Sequence, residues 1–442
     1  MSFSYSDALD TLYSFINYEL KRQDRYSPDV MTLERPLRLL ELMGNPHQRY
    51  PTVHLTGTKG KGSVGAMTAA ILQASGYKVG LYSSPHLQDF RERFQINQQM
   101  VSQEDVAQIV YDLKPLFEAV EELTWFEVTT ALAFEYFARQ GVDIAVIEVG
   151  LGGRLDATNV VRPVVSIITS LSYDHTHLLG NSLASIAAEK GGIIKHGVPL
   201  VSAPQDLEAL EVLERICQER QAPMTLVGRE WPYTSYPVEL TGQRVVANGI
   251  EYRTPLIGQH QAINTAVVTA AIEHVRQAGI AVPETAAHEG LASVSWPGRL
   301  EIVQQNPALV FDAAHNRASA RCLREALQSL FGERPLTLVF GAKGDKDIVG
   351  MMDELLPYVD HLVITQAIDS RAEGTDTLVA IAHQTGYTGP ITVQPVVGEA
   401  VQFALANTKG MVCVTGSLYV VGEARTVLGL QPGKAIRSTI SD

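Results

Sequence analysis

The sequence predicts an α/β protein of two domains, and three observations carry that prediction. Short apolar segments alternate with longer amphipathic stretches from residue 52 to about residue 225, the pattern of a mainly parallel sheet covered by helices. The rhythm breaks at about residue 225 and starts again after Trp296-Pro297-Gly298-Arg299. That linker divides the chain into a larger unit, residues 1–296, and a smaller α/β unit, residues 297–442, with a cleft expected between them.

Residues 6–43 read as helical. Leu9, Leu12, Phe15 and Ile16 recur at helical spacing, and Leu37, Leu39, Leu40 and Leu42 form a second stretch before Gly44-Asn45-Pro46. Strands are expected at Thr52–Thr56, Val79–Ser83, Ile144–Val149, Val164–Thr169 and Leu200–Ala203, several of them apolar enough to be buried on both faces. Helices are expected between them, among them Ser63–Ser75 and Phe126–Arg139. Thr225–Val227, Val238–Leu240 and Arg244–Tyr252, with an Asn248-Gly249 turn, predict a small antiparallel element. A helix over Gln261–Gln277 follows. The second series places strands at Ala308–Phe311, Leu336–Phe340, Leu362–Thr365, Ile391–Gln394 and Val412–Thr415.

Composition excludes several classes. Of the 442 residues, 45% are hydrophobic and 19% charged, which is incompatible with a disordered or fibrous chain. The balance of 35 Lys+Arg against 48 Asp+Glu, a net charge of −13, argues against general affinity for nucleic acid or an anionic membrane. An anionic ligand therefore needs a local basic pocket. Cys217, Cys322 and Cys413 have no paired spacing, which fits a reducing compartment and leaves no cysteine zinc site. With no signal-like N-terminus and no long apolar run, a cytoplasmic protein is expected.

The segment Gly57-Thr58-Lys59-Gly60-Lys61-Gly62-Ser63 lies between an expected strand and an expected helix. Phosphate cradling needs that context: glycines let backbone N–H groups approach phosphate oxygens, and the helix N-terminus favours negative charge. Lys61 is placed to reach the β/γ-phosphates and Ser63 to serve Mg²⁺. The spacing departs from the general phosphate loop, because only Thr58 and Lys59 separate the first glycines and Gly62 stands between Lys61 and Ser63.

This variant resembles the nucleotide loop of the Mur ligase superfamily and, within it, the folylpolyglutamate synthase/dihydrofolate synthase family. Further segments match in order: Ser84-Pro85-His86-Leu87 and Arg91-Glu92-Arg93; Glu148 to Asn159; Asp174-His175-Thr176; Glu189 to Lys195; Gly258 to Gln261 with Asn264; Trp296 to Arg299; and Asp312-Ala313-Ala314-His315-Asn316. The likeness runs from about Tyr50 to Tyr419. Lys59, Gly191 and Ala313 depart from the residues the family commonly carries, and none removes a group needed for chemistry. The resemblance implies a phosphate-loop central domain with a Rossmann-like α/β domain after it.

The residues themselves agree in part. Glu148 ends an apolar strand, where α/β proteins place ligands, and its carboxylate suits Mg²⁺. The resemblance implies that Ser63 and Glu148 serve Mg²⁺ at the phosphates, that Ser84, Glu148 and His175 belong to a second metal site, and that Lys190 is carbamylated there. Carbamylation needs a neutral amine, favoured by burial or nearby cations. A solvated helix lysine and a loop histidine are the ordinary alternatives. Gly57, Thr58, Gly60, Lys61, Gly62, Ser63, Asn264, Arg299, Asp312 and His315 are implied around ATP, while Asp312 and Asn316 read on their own as helix caps. Lys343, Asp345, Lys346 and Asp347 read equally well as a solvated loop, and Gly416-Ser417-Leu418-Tyr419 as a tight turn.

The expected activity is ATP-dependent amide ligation, in which a folate-type carboxylate becomes an acyl phosphate that L-glutamate attacks. Dihydropteroate, a reduced folate, or both are the expected acceptors, and a monomer is implied. A peptidoglycan-type Mur ligase would carry a UDP-binding domain ahead of Gly57, for which the preceding helical segment is short. A nucleotide switch without ligase activity would leave the second-domain motifs unexplained.

Overall fold

The computed structural model describes residues 3–16, 31–174 and 176–436. The helical stretch expected over 6–43 forms two helices, Tyr5–Tyr13 and Glu34–Leu42; residues 17–30 lie outside the described residues.

The first domain is built on eight strands: β1 (Thr52–Thr56), β2 (Val79–Tyr82), β3 (Phe94–Ile96), β4 (Gln99–Met100), β5 (Ile144–Glu148), β6 (Val165–Ile168), β7 (Leu200–Ser202) and β8 (Met224–Leu226), in the order β4-β3-β2-β5-β1-β6-β7-β8. β3 and β4 are antiparallel additions at one edge, and the other six run parallel. Every residue of β1, β2, β5 and β6 is buried, as strands covered on both faces require. The register pairs Leu55 with Glu148 and Thr56 with Ile168, so Gly57, Glu148 and Thr169 leave the sheet at one edge.

The helix Lys61–Ala74 is apolar around its whole circumference and is buried between the sheet and the helices Gln259–Gln277 and Glu284–Ser293. On the opposite face lie Gln103–Glu118 and Trp125–Gln140. The latter opens with reciprocal bonds between Thr124 and Glu127 and closes at Gly141.

Two expectations at the break are corrected. Thr225–Val227 joins the parallel sheet as β8 rather than the antiparallel element. That element comprises β9 (Tyr233–Ser235), β10 (Gln243–Ala247) and β11 (Ile250–Thr254), with the hairpin turn at Asn248-Gly249. Val238–Leu240 forms no strand: Val238 and Leu240 are apolar because they pack on the second domain's core.

The second domain's sheet contains β12 (Glu301–Gln305), β13 (Ala308–Phe311), β14 (Leu336–Phe340), β15 (His361–Gln366), β16 (Ile391–Val396) and β17 (Met411–Thr415), in the order β12-β13-β17-β14-β15-β16. All neighbours are parallel except β12 and β13. The segments after β13, β14, β15 and β17 therefore leave from one edge. They carry Asp312, Lys343, Arg371 and Tyr419.

Candidate active site

The loop after β1 is held by its neighbours before any ligand arrives. Thr58 and Lys59 donate their N–H groups to the Ser170 carbonyl at 3.1 and 3.2 Å, and the Thr58 hydroxyl donates to Ser172 at 3.1 Å. Gly57 has φ +153°, and a Cβ there would lie 1.8 Å from Thr169 Oγ1, so only glycine lets the chain pass. Gly62, the departure from the general phosphate loop, has the same kind of reason: its Cβ would meet the Trp296 ring at 2.8 Å. No side chain caps the helix that starts at Lys61, so its first N–H groups are free to receive an anion.

Two ammonium groups converge on this loop. Lys61 Nζ donates to the Gly57 carbonyl at 3.2 Å, and Lys190 Nζ donates to the same oxygen at 3.0 Å. Lys190, on the helix Leu183–Gly191, is only 4% exposed. Its ammonium is pushed down to about 7, by burial first and then by the charge of Lys61, against the opposing pull of Asp174 and Asp156. The solvated-lysine alternative is therefore corrected.

Glu148 at the end of β5 is 3% exposed, and burial pushes its carboxyl up to about 7 despite the pull of Lys61, the Ser84 backbone N–H, Arg299 and Arg93. Ser63 is also buried, and its hydroxyl accepts from Gln261 Nε2 at 3.2 Å. Asn264 donates to Gln261 Oε1 at 2.9 Å and sets its own Oδ1 against Gly60. Gln261 belongs to the Gly258–Gln261 segment, whose sequence alone assigns it no role. His175 lies outside the described residues; its neighbour Asp174 faces Lys190 and Lys59 electrostatically and pairs with Lys346 of the second domain at 3.9 Å.

Arg299 joins the two edges. It exerts its charge on Glu148 and His260 of the first domain and on Asp312 and His315 of the second. Asp312 does not cap the following helix, a role Asn316 fills by accepting from the Ser319 N–H at 2.9 Å. Instead its carboxylate accepts from the backbone of Leu300 at 2.8 Å and Ala314 at 2.9 Å. His315 Nδ1 donates to the Ala313 carbonyl at 2.9 Å, and desolvation pushes the ring down to about 4. The imidazole is thus neutral and offers Nε2 as an acceptor.

Between the edges lies a cavity of about 290 Å³. Ser84, Phe126, Gly150, Leu155 and Asp156 line it from the first domain, and Arg299, His315, Lys343, Lys346, Arg371 and Tyr419 from the second. Lys343 lies 4.1 Å from the Tyr419 ring centroid and 3.5 Å from Asp369, and Arg371 pairs with Asp369 at 3.0 Å. The charged loop and the tight turn therefore line the cavity, and Arg371, in a segment without a motif, joins them.

Among the described residues no three His, Cys, Asp or Glu side chains gather as a metal cluster. Of the two buried carboxylates at the first edge, Asp156 is taken up by the backbone N–H groups of Gly150, Leu151 and Thr158, which leaves Glu148 and the hydroxyls of Ser63 and Ser84 as donors. Such a hard oxygen set suits Mg²⁺, which takes one or two carboxylates and completes its shell with water and phosphate oxygens.

Residues 55–272 match the Mur ligase middle domain and residues 298–418 the glutamate ligase domain of Mur ligases. The chain is 34% identical over 412 residues to the dihydrofolate synthase/folylpolyglutamate synthase of Bacillus subtilis, covering 89% of this chain and 94% of that one. It is 38% identical over 418 residues to a probable bifunctional folylpolyglutamate synthase/dihydropteroate synthase of Halobacterium salinarum, covering 91% of this chain but only 50% of that protein. Among solved structures, Mycobacterium tuberculosis folylpolyglutamate synthase complexed with ADP and AMPPCP superposes with a TM-score of 0.86 at 32% identity, over 96% of this chain and 100% of that one. Escherichia coli FolC in complex with DHPP and ADP gives 0.84 at 29% identity, over 96% and 98%.

Proposed function

Because the chain belongs to the folylpolyglutamate synthase/dihydrofolate synthase family of the Mur ligase superfamily, we propose that it joins L-glutamate to a folate-type carboxylate at the expense of ATP. The observation that carries this reading is the facing of two unlike edges across one cavity. The first edge, which reaches the cavity through Ser84, Gly150 and Asp156, also carries the phosphate loop with Lys61, Lys190 and Glu148, and a cationic wall with Arg299, Lys343 and Arg371 lines the other side.

In this reading Gly57, Thr58, Gly60, Gly62 and the free N–H groups of the helix starting at Lys61 cradle the ATP phosphates. Lys61 leaves the Gly57 carbonyl for the β/γ-phosphates and stabilises charge as the γ-phosphoryl group moves to the substrate carboxylate. Ser63 and Glu148 would hold Mg²⁺ at the phosphates, and Ser84, Glu148, His175 and Lys190 would hold a second ion. The ion, when bound, neutralises phosphate charge and polarises the phosphoryl oxygens. Asn264, beside Gly60, and Arg299, between Glu148 and Asp312, would contact the nucleotide. His315 Nε2, an acceptor rather than a cation, suits a nucleotide hydroxyl better than a phosphate. Asp312 serves indirectly, by holding the backbone beside Arg299.

The product carboxyl phosphate is attacked by the glutamate amine, and phosphate departs as the amide forms. Lys343, Lys346 and Arg371 supply the charge to seat the glutamate carboxylates, while Phe126 offers an aromatic face to a pterin. Enclosure between the domains keeps water from the acyl phosphate. We place the boundary between the domains at Trp296–Pro297 and read the working protein as a cytoplasmic monomer. No described helix is long and apolar enough to cross a membrane.

The test supplies Mg-ATP and labelled glutamate with dihydropteroate and tetrahydrofolate in separate reactions. Label transferred to either pterin, with stoichiometric ADP, supports ligation and identifies the acceptor. Phosphate release without labelled product contradicts it.

A further inference from the structure

The linker that presents Arg299 is strained and heavily anchored. Gly298 has φ +69° and Leu300, a buried non-glycine residue, has φ +45°, a conformation that persists only where the surroundings impose it. Leu300 is held by Asp312. On its other side, the Gly298 N–H donates to Glu301 Oε2 at 2.9 Å.

Glu301 is itself buried and meets an equally buried cation, Arg425, whose NH1 contacts both carboxylate oxygens. A buried ion pair is a weak source of stability, since desolvation offsets the attraction, and apolar replacement is often neutral. Its position in the fold offers another reason for its presence. Arg425 Nε donates to Gln88 Oε1 at 2.8 Å, and its NH2 donates to the carbonyls of Gln431 and Lys434 at 3.0 and 2.7 Å. Gln88 ends the Ser84–Gln88 loop, and the Gly422 position of Arg425's own helix presses on the Leu87 carbonyl. The chain after that helix crosses back, with the Ile436 N–H on Glu301 and the Ala435 N–H on Ser295. One guanidinium thereby touches the turn that carries Arg299, the loop that carries Ser84, and the terminal segment over both.

We propose that Arg425 is a positioning residue for the ligase reaction: through Glu301 it fixes the turn that aims Arg299 into the cleft, and through Gln88 it keeps that turn in register with the Ser84 loop. The inference rests on the reading of Arg299 as a nucleotide contact.

The experiment measures kcat, KM for ATP and thermal midpoint in wild type, Arg299→Ala, the paired variant Glu301→Met/Arg425→Met, and the triple combination. The Met pair leaves no orphan charge, and Arg425→Lys, which keeps the charge but not the fork, makes the same comparison if the pair does not fold. We expect Arg299→Ala to raise the ATP KM about tenfold or more, and the Met pair to raise it comparably with a smaller change in kcat. Arg425→Lys falls between. In the Arg299→Ala background the Met pair then adds less than about twofold, because its route of action is gone. An undiminished effect of the Met pair in that background, or a wild-type KM in the Met pair alone, overturns the positioning role. A wild-type KM in Arg299→Ala overturns the nucleotide reading instead.

Discussion

The two sheet edges that face each other across the cavity use their charged residues in opposite ways. At the first edge, Glu148 and Lys190 are buried with little compensation, and both titrate near neutrality. At the second, Asp312 is committed to two backbone N–H groups and His315 is locked to a carbonyl through Nδ1. The first edge holds groups whose charge a ligand can change, while at the second Asp312 and His315 hold shape and Lys343, Lys346 and Arg371 present fixed positive charge to the cavity. Chemistry is therefore expected to depend on the first edge, and affinity and orientation on the second.

The largest effect is expected at Lys61. Among the described residues its ammonium bonds only to a loop carbonyl, so Lys61→Ala should leave the thermal midpoint within a few degrees of wild type while kcat falls about a thousandfold. Near-normal turnover at saturating ATP would break the assignment of chemistry to this edge.

Next comes Lys190. With its amine near neutrality, a large fraction is unprotonated at pH 7 to 8 and able to react with CO₂. Lys190→Met should lower kcat about a hundredfold, and short carboxylates should restore part of it. Intact mass measured without acid reads the carbamate directly. Full activity in the variant would return Lys190 to a merely structural place beneath the loop.

A smaller effect sharpens the contrast through pH. Glu148 has a carboxyl raised from 4.5 to about 7, so its contribution to stability is fully present below pH 4.5 and is lost as pH rises through 7. In nucleotide-free protein, Glu148→Gln should gain about 1–3 kcal/mol relative to wild type between pH 4.5 and 8, read from denaturant titrations. A constant difference would show that the side chain is better solvated than its burial implies. The smallest change belongs to the second edge: Tyr419→Leu, which removes the ring beside Lys343, should raise the KM for glutamate about threefold and leave kcat nearly unchanged.

Legibility in the sequence followed the same division. β1, β13 and β14 have the predicted limits: β13 is a continuous apolar run, β14 is one broken by a single Thr, and β1 alternates apolar residues with Thr or His, every residue of all three being buried. The phosphate loop and Glu148 were legible as motif and strand end. The β3–β4 addition was not, since Phe94–Met100 is short and mixed with Gln and Asn. Val238–Leu240 misled because interdomain packing and strand formation both select apolar residues. Arg371 and the Glu301–Arg425 pair carry no local signal: the pair meets only when residues 124 apart in sequence are brought together by the second sheet and its last helix.

The central claim is that the cleft passes a phosphoryl group to a substrate carboxylate before the amide forms. Acceptor labelled with ¹⁸O in its reacting carboxylate, incubated with Mg-ATP and glutamate, tests it most directly. The account predicts one ¹⁸O atom in each inorganic phosphate released, because the carboxylate oxygen leaves with the phosphoryl group. Labelled amide product accompanied by unlabelled phosphate would contradict it.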